Sequence, residues 1–254
     1  MLDLSNLTVI ADFDGTLTKK IVDGKPQPSL LSLLISDKYL SKLGVEKSQA
    51  LFEHYYPIEL NPAIEANQKE QLMQEWWEKS IAVLLEEKVT LEMIHEITHS
   101  PLVQFRDGVI EFLNLLSERR TPLIIYSASG IGTDAITHLL EHQHLLTSNI
   151  SIISNDLNFN ALGVVVSAQK PLIHIANKIG TTLIKKGAIA PYPSRRQCLV
   201  IGDSLDDRKM SDGIDFDSVY AVAFGNHQPE NFKPLFDLVL PIDGGYQEIL
   251  NLLK

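Results

Sequence analysis

The segment DFDGT at residues 12–16 places two carboxylates two positions apart, directly after the apolar run 8–11. If that run is a β-strand, Asp12 and Asp14 point to one side of it while Phe13 points to the other. Two carboxylates would then converge at the end of a strand. An ordinary turn containing Asp-Gly has the same sequence, so this segment alone leaves both interpretations open.

A second acidic cluster, GDSLDD at 202–207, follows the apolar run 198–201. The carboxyl ends of parallel strands meet at one edge of a sheet, which would bring the two clusters together. Two unit charges 4 Å apart repel by roughly 4 kcal/mol at an effective dielectric constant near 20, so a cation is needed there. Oxygen ligands that leave room for phosphate and water favour Mg²⁺. We therefore predict a Mg²⁺ site at Asp12, Asp14 and Asp203.

A small polar loop begins at Ser127, directly after the apolar run 123–126, and continues through Ala128 and Ser129. Its hydroxyl and backbone N–H groups are suited to binding phosphate oxygens. This signal is weak alone, but the loop falls at the same predicted sheet edge as both acidic clusters.

The strands and helices that must position these residues alternate along most of the chain. Short apolar or β-branched runs predict buried parallel strands at 8–11, 123–126, 150–153, 198–201 and 219–223. Apolar residues at three- and four-residue spacing predict helices at 108–119, 132–142 and 172–186. This alternation predicts an α/β fold with a doubly wound, Rossmann-like parallel sheet.

The alternation fails between residues 18 and 101, where strand-like runs are absent and polar helical stretches take over. We predict a helical cap domain at 18–101, inserted into a catalytic core formed by 1–17 and 102–254. The insertion leaves directly after the first strand, so its connections should emerge beside the functional edge of the sheet. The cap is therefore predicted to cover the site.

Composition excludes several classes of function. The net charge of −10 would repel a nucleic-acid polymer, and no run of about 18 apolar residues is present to span a membrane. The amino terminus lacks the features of a secretory signal, so we predict a cytoplasmic protein. The single cysteine, Cys198, lies in an apolar run and is predicted to be a buried structural residue. Oligomeric state is left open.

The three motifs, in order, resemble those of the haloacid dehalogenase superfamily: DFDGT, a serine at a strand end, and GDSLDD. The resemblance narrows to the cytosolic 5′-nucleotidase III (pyrimidine 5′-nucleotidase) family through YYPIEL, EWWEKS, SGIG, PLIHIANK and GDSLDDRKMSDG. It covers about residues 8–225. The region 155–169 retains only fragments of the family pattern.

The resemblance implies that Asp12 is the nucleophile and Asp14 the acid and base. It implies that Lys178 contacts both the phosphoryl group and the nucleophile, with Lys170 as the alternative. It also implies that Ser127 and Ala128 hold the phosphate. The loop has one residue more than the family usually has, which leaves open whether Ser127 or Ser129 is the main ligand.

The same resemblance places Glu59 and Ser80 where the cap of the family contacts the nucleobase, with Trp76 or Trp77 available for stacking. All four residue types are also common on ordinary amphipathic helices. The preferred base, whether cytosine, uracil or 7-methylguanine, is left open.

The expected activity is Mg²⁺-dependent hydrolysis of nucleoside 5′-monophosphates, of pyrimidine or 7-methylguanosine type, through an aspartyl-phosphate intermediate. One alternative is a phosphatase of the same superfamily that acts on phosphoserine or a sugar phosphate, because the cap selects the leaving group. Another is a non-catalytic protein that binds a phosphate ligand. The partner is in each case a small molecule.

A competing motif, HEITH at 95–99, has the HExxH pattern of zinc peptidases. Ser100 and Pro101 end the helix directly after His99, and no further residue is placed as an obvious third ligand. We therefore expect a surface helix with solvated or partly packed histidines.

Overall fold

The computed structural model describes residues 2–61, 63–225 and 229–253; the predicted domain limits at 1 and 254 lie outside them. In chain order the strands are β1 (Leu7–Ala11), β2 (Ile21–Val22), β3 (Lys25–Pro26), β4 (Leu123–Tyr126), β5 (Ile150–Ile153), β6 (Leu157–Phe159), β7 (Val165–Ala168), β8 (Gln197–Gly202), β9 (Ser218–Phe224) and β10 (Leu238–Leu240).

The helices are α1 (Leu30–Leu34), α2 (Lys42–Leu60), α3 (Ala66–Glu86), α4 (Leu91–Ile97), α5 (Val109–Glu118), α6 (Gly132–His142), α7 (Gly180–Lys185) and α8 (Gln247–Leu252). Short 3₁₀ turns occupy Ile175–Asn177, Leu205–Ser211 and Pro229–Asn231.

Six strands form a parallel sheet in the order β10-β9-β8-β1-β4-β5, which confirms the predicted α/β fold. All five predicted strands are present, and β10 adds an edge strand that was not predicted from the sequence. Along β1, Val9 and Ala11 enter one apolar core while Ile10 enters the core on the opposite face. Apolar side chains on both faces fix β1 near the centre of the sheet. Cys198 on β8 is buried, as predicted.

The segment 18–101 contains α1 to α4 and one short antiparallel ribbon, β2 with β3. The ribbon corrects the expectation that strands are absent there; it is only two residues long on each side. Thr18 and Phe105 form an antiparallel bridge, so the outgoing and returning chains lie side by side just beyond β1. The hairpin of β6 and β7 comes from outside this segment but packs against α3, and Val165 N–H donates to Val89 O at 2.9 Å.

The predicted helix at 172–186 is wrong in its first half. Only Gly180–Lys185 forms an α-helix there, preceded by the 3₁₀ turn Ile175–Asn177. The Asn177 side chain donates to Leu172 O at 2.8 Å and accepts from His174 N–H at 2.9 Å. These local bonds compete with a regular helix and leave Lys178 on a loop. The helices predicted at 108–119 and 132–142 are confirmed as α5 and α6.

Candidate active site

Asp12 and Lys178 form the centre of the site. Asp12 directly follows β1, and its N–H donates to Ile201 O at 2.9 Å, which extends the pairing with β8 by one residue. The Lys178 ammonium forms an ion pair with Asp12 and another, at 2.8 Å, with Asp207 Oδ1. Lys178 is only 3% exposed, so the loop before α7 delivers a buried cation to the end of β1. Lys170, the alternative lysine, instead pairs with the exposed Glu78.

Three carboxylates converge at this edge of the sheet. One oxygen from each of Asp12, Asp203 and Asp207 lies within 4.8 Å of the other two. Asp207 was not among the predicted site residues, although the acidic cluster containing it was noted. The Asp14 carboxylate is not part of this group. The signal that was available for Asp207 is its spacing, four residues after Asp203 in GDSLDD.

Asp207 also shapes the loop that carries Asp203. Its Oδ2 accepts hydrogen bonds from the N–H groups of Asp203 and Ser204, at 3.0 and 2.9 Å. Burial raises the pKa of Asp207, but Lys178 and the bonds from Ser204 outweigh that effect and hold the pKa below its ordinary value. Asp207 therefore remains a carboxylate and fixes both the lysine and the loop.

Electrostatics at the site favour a divalent cation. Burial raises the pKa of Asp12 to about 7 and that of Asp14 to about 6, and it also raises the pKa of Asp203. Four carboxylates face two ammonium groups, which leaves two negative charges uncompensated when all six are ionised: Asp12, Asp14, Asp203, Asp207, Lys20 and Lys178. An oxygen donor set with that charge fits Mg²⁺.

The turn after Asp12 depends on Gly15. Its φ is +79°, and a Cβ there would lie 2.6 Å from Asp203 Oδ2. Any other residue would be strained and would displace the Asp203 carboxylate. The turn is also held by the buried Arg106, whose Nη2 donates to Gly15 O at 2.6 Å. This role was not predicted from the sequence. Asp14 Oδ1 accepts a long hydrogen bond, 3.4 Å, from Leu30 N–H at the start of α1.

The predicted phosphate loop follows β4 at the same edge. Ser129 N–H donates to Ser127 Oγ at 3.1 Å, while the buried Ser129 Oγ has no hydrogen-bond partner among the described residues. Asn155 donates to Ala128 O at 3.2 Å and to Ser129 O at 3.1 Å, and it also bonds the backbone of Ile173. Asn155 thus ties this loop to the segment that leads to Lys178. Its role was missed because it arises from contacts distant in sequence.

The segment 18–101 presents a mixed aromatic and acidic face to the site. Glu59 is half-buried near the end of α2, and burial raises its pKa to about 7, with Lys69 opposing the shift and Asp206 adding to it. Trp77 on α3 packs against the phosphate loop, since a Cβ on Gly130 would lie 2.8 Å from Trp77 Cζ3. Trp76 stacks between Tyr55 and Trp77, with ring centroids 5.8 and 6.2 Å away.

The structure places the predicted base-recognition residues on two helices. Ser80 is half-buried on α3, three residues after Trp77, so the two share a face of that helix. Glu59 lies near the charges of Asp203 and Lys20 across the site. Of the predicted core residues, Asp12, Asp203 and Lys178 are brought together, and Glu59 of α2 lies close enough to feel the charge of Asp203.

Comparison with known proteins identifies the family of this chain. The model of the pyrimidine 5′-nucleotidase (UMPH-1) family matches residues 15–254. The chain belongs to that family. The resemblance inferred from the sequence motifs is thereby confirmed, and this 5′-nucleotidase is a phosphoric monoester hydrolase with a fold of the haloacid dehalogenase type.

Individual relatives of this 5′-nucleotidase can be aligned with nearly its full length. A 7-methylguanosine phosphate-specific 5′-nucleotidase from Gallus gallus is 29% identical, with 98% of this chain and 88% of the relative covered. The Homo sapiens protein of the same name is 30% identical, with coverage of 98% and 84%. The crystal structure of cytosolic 5′-nucleotidase IIIB bound to cytidine has a TM-score of 0.83 at 26% identity, covering 98% of this chain and 84% of that one.

The HExxH pattern of this 5′-nucleotidase lies at the protein surface. Glu96, the glutamate of the HExxH pattern, pairs with Lys38 at 2.7 Å, and α4 ends at Ile97. Glu96 is thus engaged at the protein surface, as expected for a surface helix.

Within residues 2–61, 63–225 and 229–253, every helix is too short or too polar to cross a lipid bilayer.

Proposed function

We propose that this 5′-nucleotidase hydrolyses 7-methylguanosine and pyrimidine nucleoside 5′-monophosphates, with Asp12 as the nucleophile. The observation that carries the proposal is the buried ion pair between Asp12 and Lys178 at the end of the central strand. A carboxylate held by a lysine stays in place and ready to react with an incoming phosphate. The names of the relatives support the choice of nucleotides.

In the first step a carboxylate oxygen of Asp12 attacks phosphorus and forms an aspartyl phosphate. The bond between phosphorus and the 5′-oxygen breaks, and Asp14 gives a proton to that oxygen as the nucleoside leaves. The pKa of Asp14, raised to about 6 by burial, supports this role, because a proton donor must be protonated in part of the molecules near neutral pH.

In the second step Asp14, now a carboxylate, removes a proton from a water molecule. The water oxygen attacks phosphorus, the bond to Asp12 breaks, and inorganic phosphate leaves. Lys178 stabilises the charge on the phosphoryl oxygens in both steps, and the free hydroxyl of Ser129 is available to donate to one of them. Ser127 supports that hydroxyl by accepting from Ser129 N–H.

Asp12, Asp203 and Asp207 would hold Mg²⁺, since their oxygens converge. This set replaces the Asp14 carboxylate of the sequence prediction with that of Asp207, which leaves Asp14 available for proton transfer. When bound, the ion supplies positive charge that offsets the phosphate and the surrounding carboxylates. Lys178 shares that task from the side of the loop before α7.

Residues 18–101 act, in this proposal, as the cap that selects the base. The 7-methylguanine base carries a positive charge, which an ionised Glu59 complements, and Trp76 or Trp77 offers a face for stacking. Ser80 on the same helix face as Trp77 adds a hydroxyl. The name of the similar cytosolic 5′-nucleotidase IIIB also supports our proposal that the chain acts in the cytoplasm.

The test is phosphate release from a substrate panel with Mg²⁺ present. The panel contains the 5′-monophosphates of 7-methylguanosine, cytidine, uridine and guanosine, together with phosphoserine and glucose 6-phosphate. We expect kcat/KM for at least one of the first three to exceed that for phosphoserine and glucose 6-phosphate by 100-fold or more. Comparable values across the panel would contradict the proposed substrate class, while no hydrolysis would favour a binding protein.

A further inference from the structure

Four histidines from two helices lie against one another at the protein surface. His95 and His99 belong to α4 and the turn after it, and His138 and His142 belong to α6. The rings of His95 and His138 stack, with centroids 3.9 Å apart and planes 9° apart. His99 meets His138 edge-on at 5.3 Å and His142 edge-on at 4.2 Å. We refer to these four residues as the histidine cluster.

The histidine cluster contains eight ring nitrogens with few partners. In the part of the chain that the structure describes, their one hydrogen bond joins Thr98 Oγ1 to His138 Nδ1 at 2.8 Å. Burial, followed by the charges of His95, His99 and His142, lowers the pKa of His138. A neutral imidazole is the form that binds metal, so the crowding of the four rings favours the ligating state.

We infer that the histidine cluster is a second metal site, which takes one divalent transition ion of the Zn²⁺ class. Imidazole nitrogen binds Zn²⁺, Ni²⁺ and Cu²⁺ in preference to Mg²⁺, so this site and the aspartate site select different ions. The histidines of each pair are four residues apart, His138 and His142 within α6, and His95 and His99 across the end of α4 and the turn after it. On a helical turn this spacing puts both rings on one face and lets them chelate one ion.

Binding requires the rings to turn. In the structure the cluster is stacked, and among the described residues only the three aspartates have converging ligand atoms. His99 and His142 are exposed, so solvent leaves room for their rings to turn, while Thr98 already orients the His138 ring. Ligation by all four rings would also require His95 and His138 to unstack, and metal–nitrogen bonds would replace that ring contact.

An ion bound there would join two parts of the protein. Helix α4 belongs to the segment 18–101, whereas α6 begins at Gly132, directly after the predicted phosphate loop. A ligand that binds only the folded state stabilises it by an amount that grows with the logarithm of the ligand concentration relative to the dissociation constant. The ion would therefore hold α4 against α6 and raise the melting temperature.

The experiment is a Zn²⁺ titration of the full chain in saturating Mg²⁺. Calorimetry measures the stoichiometry and the melting temperature, and NMR monitors the signals of the histidine rings. We expect one Zn²⁺ per chain and a rise in melting temperature of roughly 5 to 10 °C at 100-fold excess over Kd. The ring signals of the histidine cluster should shift, while those of His54 and His174 should not. Failure to bind Zn²⁺ in the presence of Mg²⁺ would overturn the inference.

Variants show whether Zn²⁺ binds at the histidine cluster or at the aspartates of the active site. The double substitution His99→Gln with His142→Gln changes two exposed rings and leaves the packed ones, so the fold should persist; it should weaken Zn²⁺ binding at least 100-fold. The matched control is His54→Gln, an exposed histidine on α2. Asp203→Asn should retain the shifts of the cluster signals. Unchanged binding in the double variant would place Zn²⁺ at the aspartates and refute the second site.

Discussion

The two sides of the proposed active site are built differently. On the core side, Lys178 and Asp207 are almost fully buried, and each has at least two charged or hydrogen-bonding partners. On the opposite side, Glu59 and Trp77 are half-buried and have no comparable network among the residues that the structure describes. We therefore expect the core side to fix one reaction geometry, whereas the other face can vary with the base that it would accept in the proposed function. In the proposed function, reaction type and substrate preference thus depend on different parts of the chain.

The largest expected effect is that of Asp12→Asn, which tests the core side directly. The amide cannot form the phosphoryl intermediate, so we expect kcat to fall by about 10⁴-fold or more while the fold persists. Turnover with Mg²⁺ and circular dichroism measure the two quantities. Asp215→Asn is the matched control, because Asp215 is exposed and pairs with Arg196 directly before β8, at the opposite edge of the sheet. Near-normal turnover of the Asp12 variant would refute the nucleophile assignment.

Lys178→Met should lower both activity and stability. It leaves Asp12 and Asp207 without their buried partner, which costs about 3 to 5 kcal/mol, and we expect kcat to fall by about 10² to 10³. Urea denaturation and steady-state kinetics measure these effects. Lys170→Met is the control, since its exposed pair with Glu78 contributes only about 0 to 1 kcal/mol. Equal destabilisation by the two substitutions would contradict the contrast between the buried and exposed lysines.

The sequence predicted most of the sheet and most of the residues on the core side of the site. It did not predict the residues that hold them in position. Strand periodicity and the placement of acidic residues at strand ends predicted the sheet and the meeting of Asp12 with Asp203. Spacing alone did not single out Asp207. Arg106 and Asn155 were missed because each acts on backbone carbonyls far away in sequence. The helix predicted at 172–186 failed for a related reason, since the bonds of Asn177 redirect the chain.

Glu59→Gln tests the other side through binding. We expect KM for 7-methylguanosine 5′-monophosphate to rise about tenfold with kcat little changed, since one charge-assisted contact is lost. Glu53→Gln, at an exposed position on the same helix, is the control. A larger effect on kcat than on KM would place Glu59 in the chemical step and remove the distinction between the two sides.

The same substitution should change stability with pH. The pKa of Glu59, about 7 in the fold, lies above its ordinary value of 4.5, so ionisation destabilises the fold as pH rises from about 4.5 to 7. Gln removes that penalty. After discounting for the partial exposure of Glu59, we expect a gain of roughly 2 to 4 °C in melting temperature at pH 8 and little gain at pH 4.5. A gain independent of pH would exclude this cause.

Gly130→Ala is expected to have the smallest effect, because it alters only the contact between the two sides. The new Cβ would lie 2.8 Å from Trp77 Cζ3, so the loop or the tryptophan must shift by several tenths of an ångström. We expect kcat/KM to fall about threefold without loss of the core network. Trp77→Ala in the same chain removes the clash, so the double variant should be no worse than Trp77→Ala alone. If the losses of kcat/KM in the two single variants instead add up in the double variant, Gly130 is needed for the backbone conformation of the loop. The contact with Trp77 would then not determine how closely α3 packs against the loop.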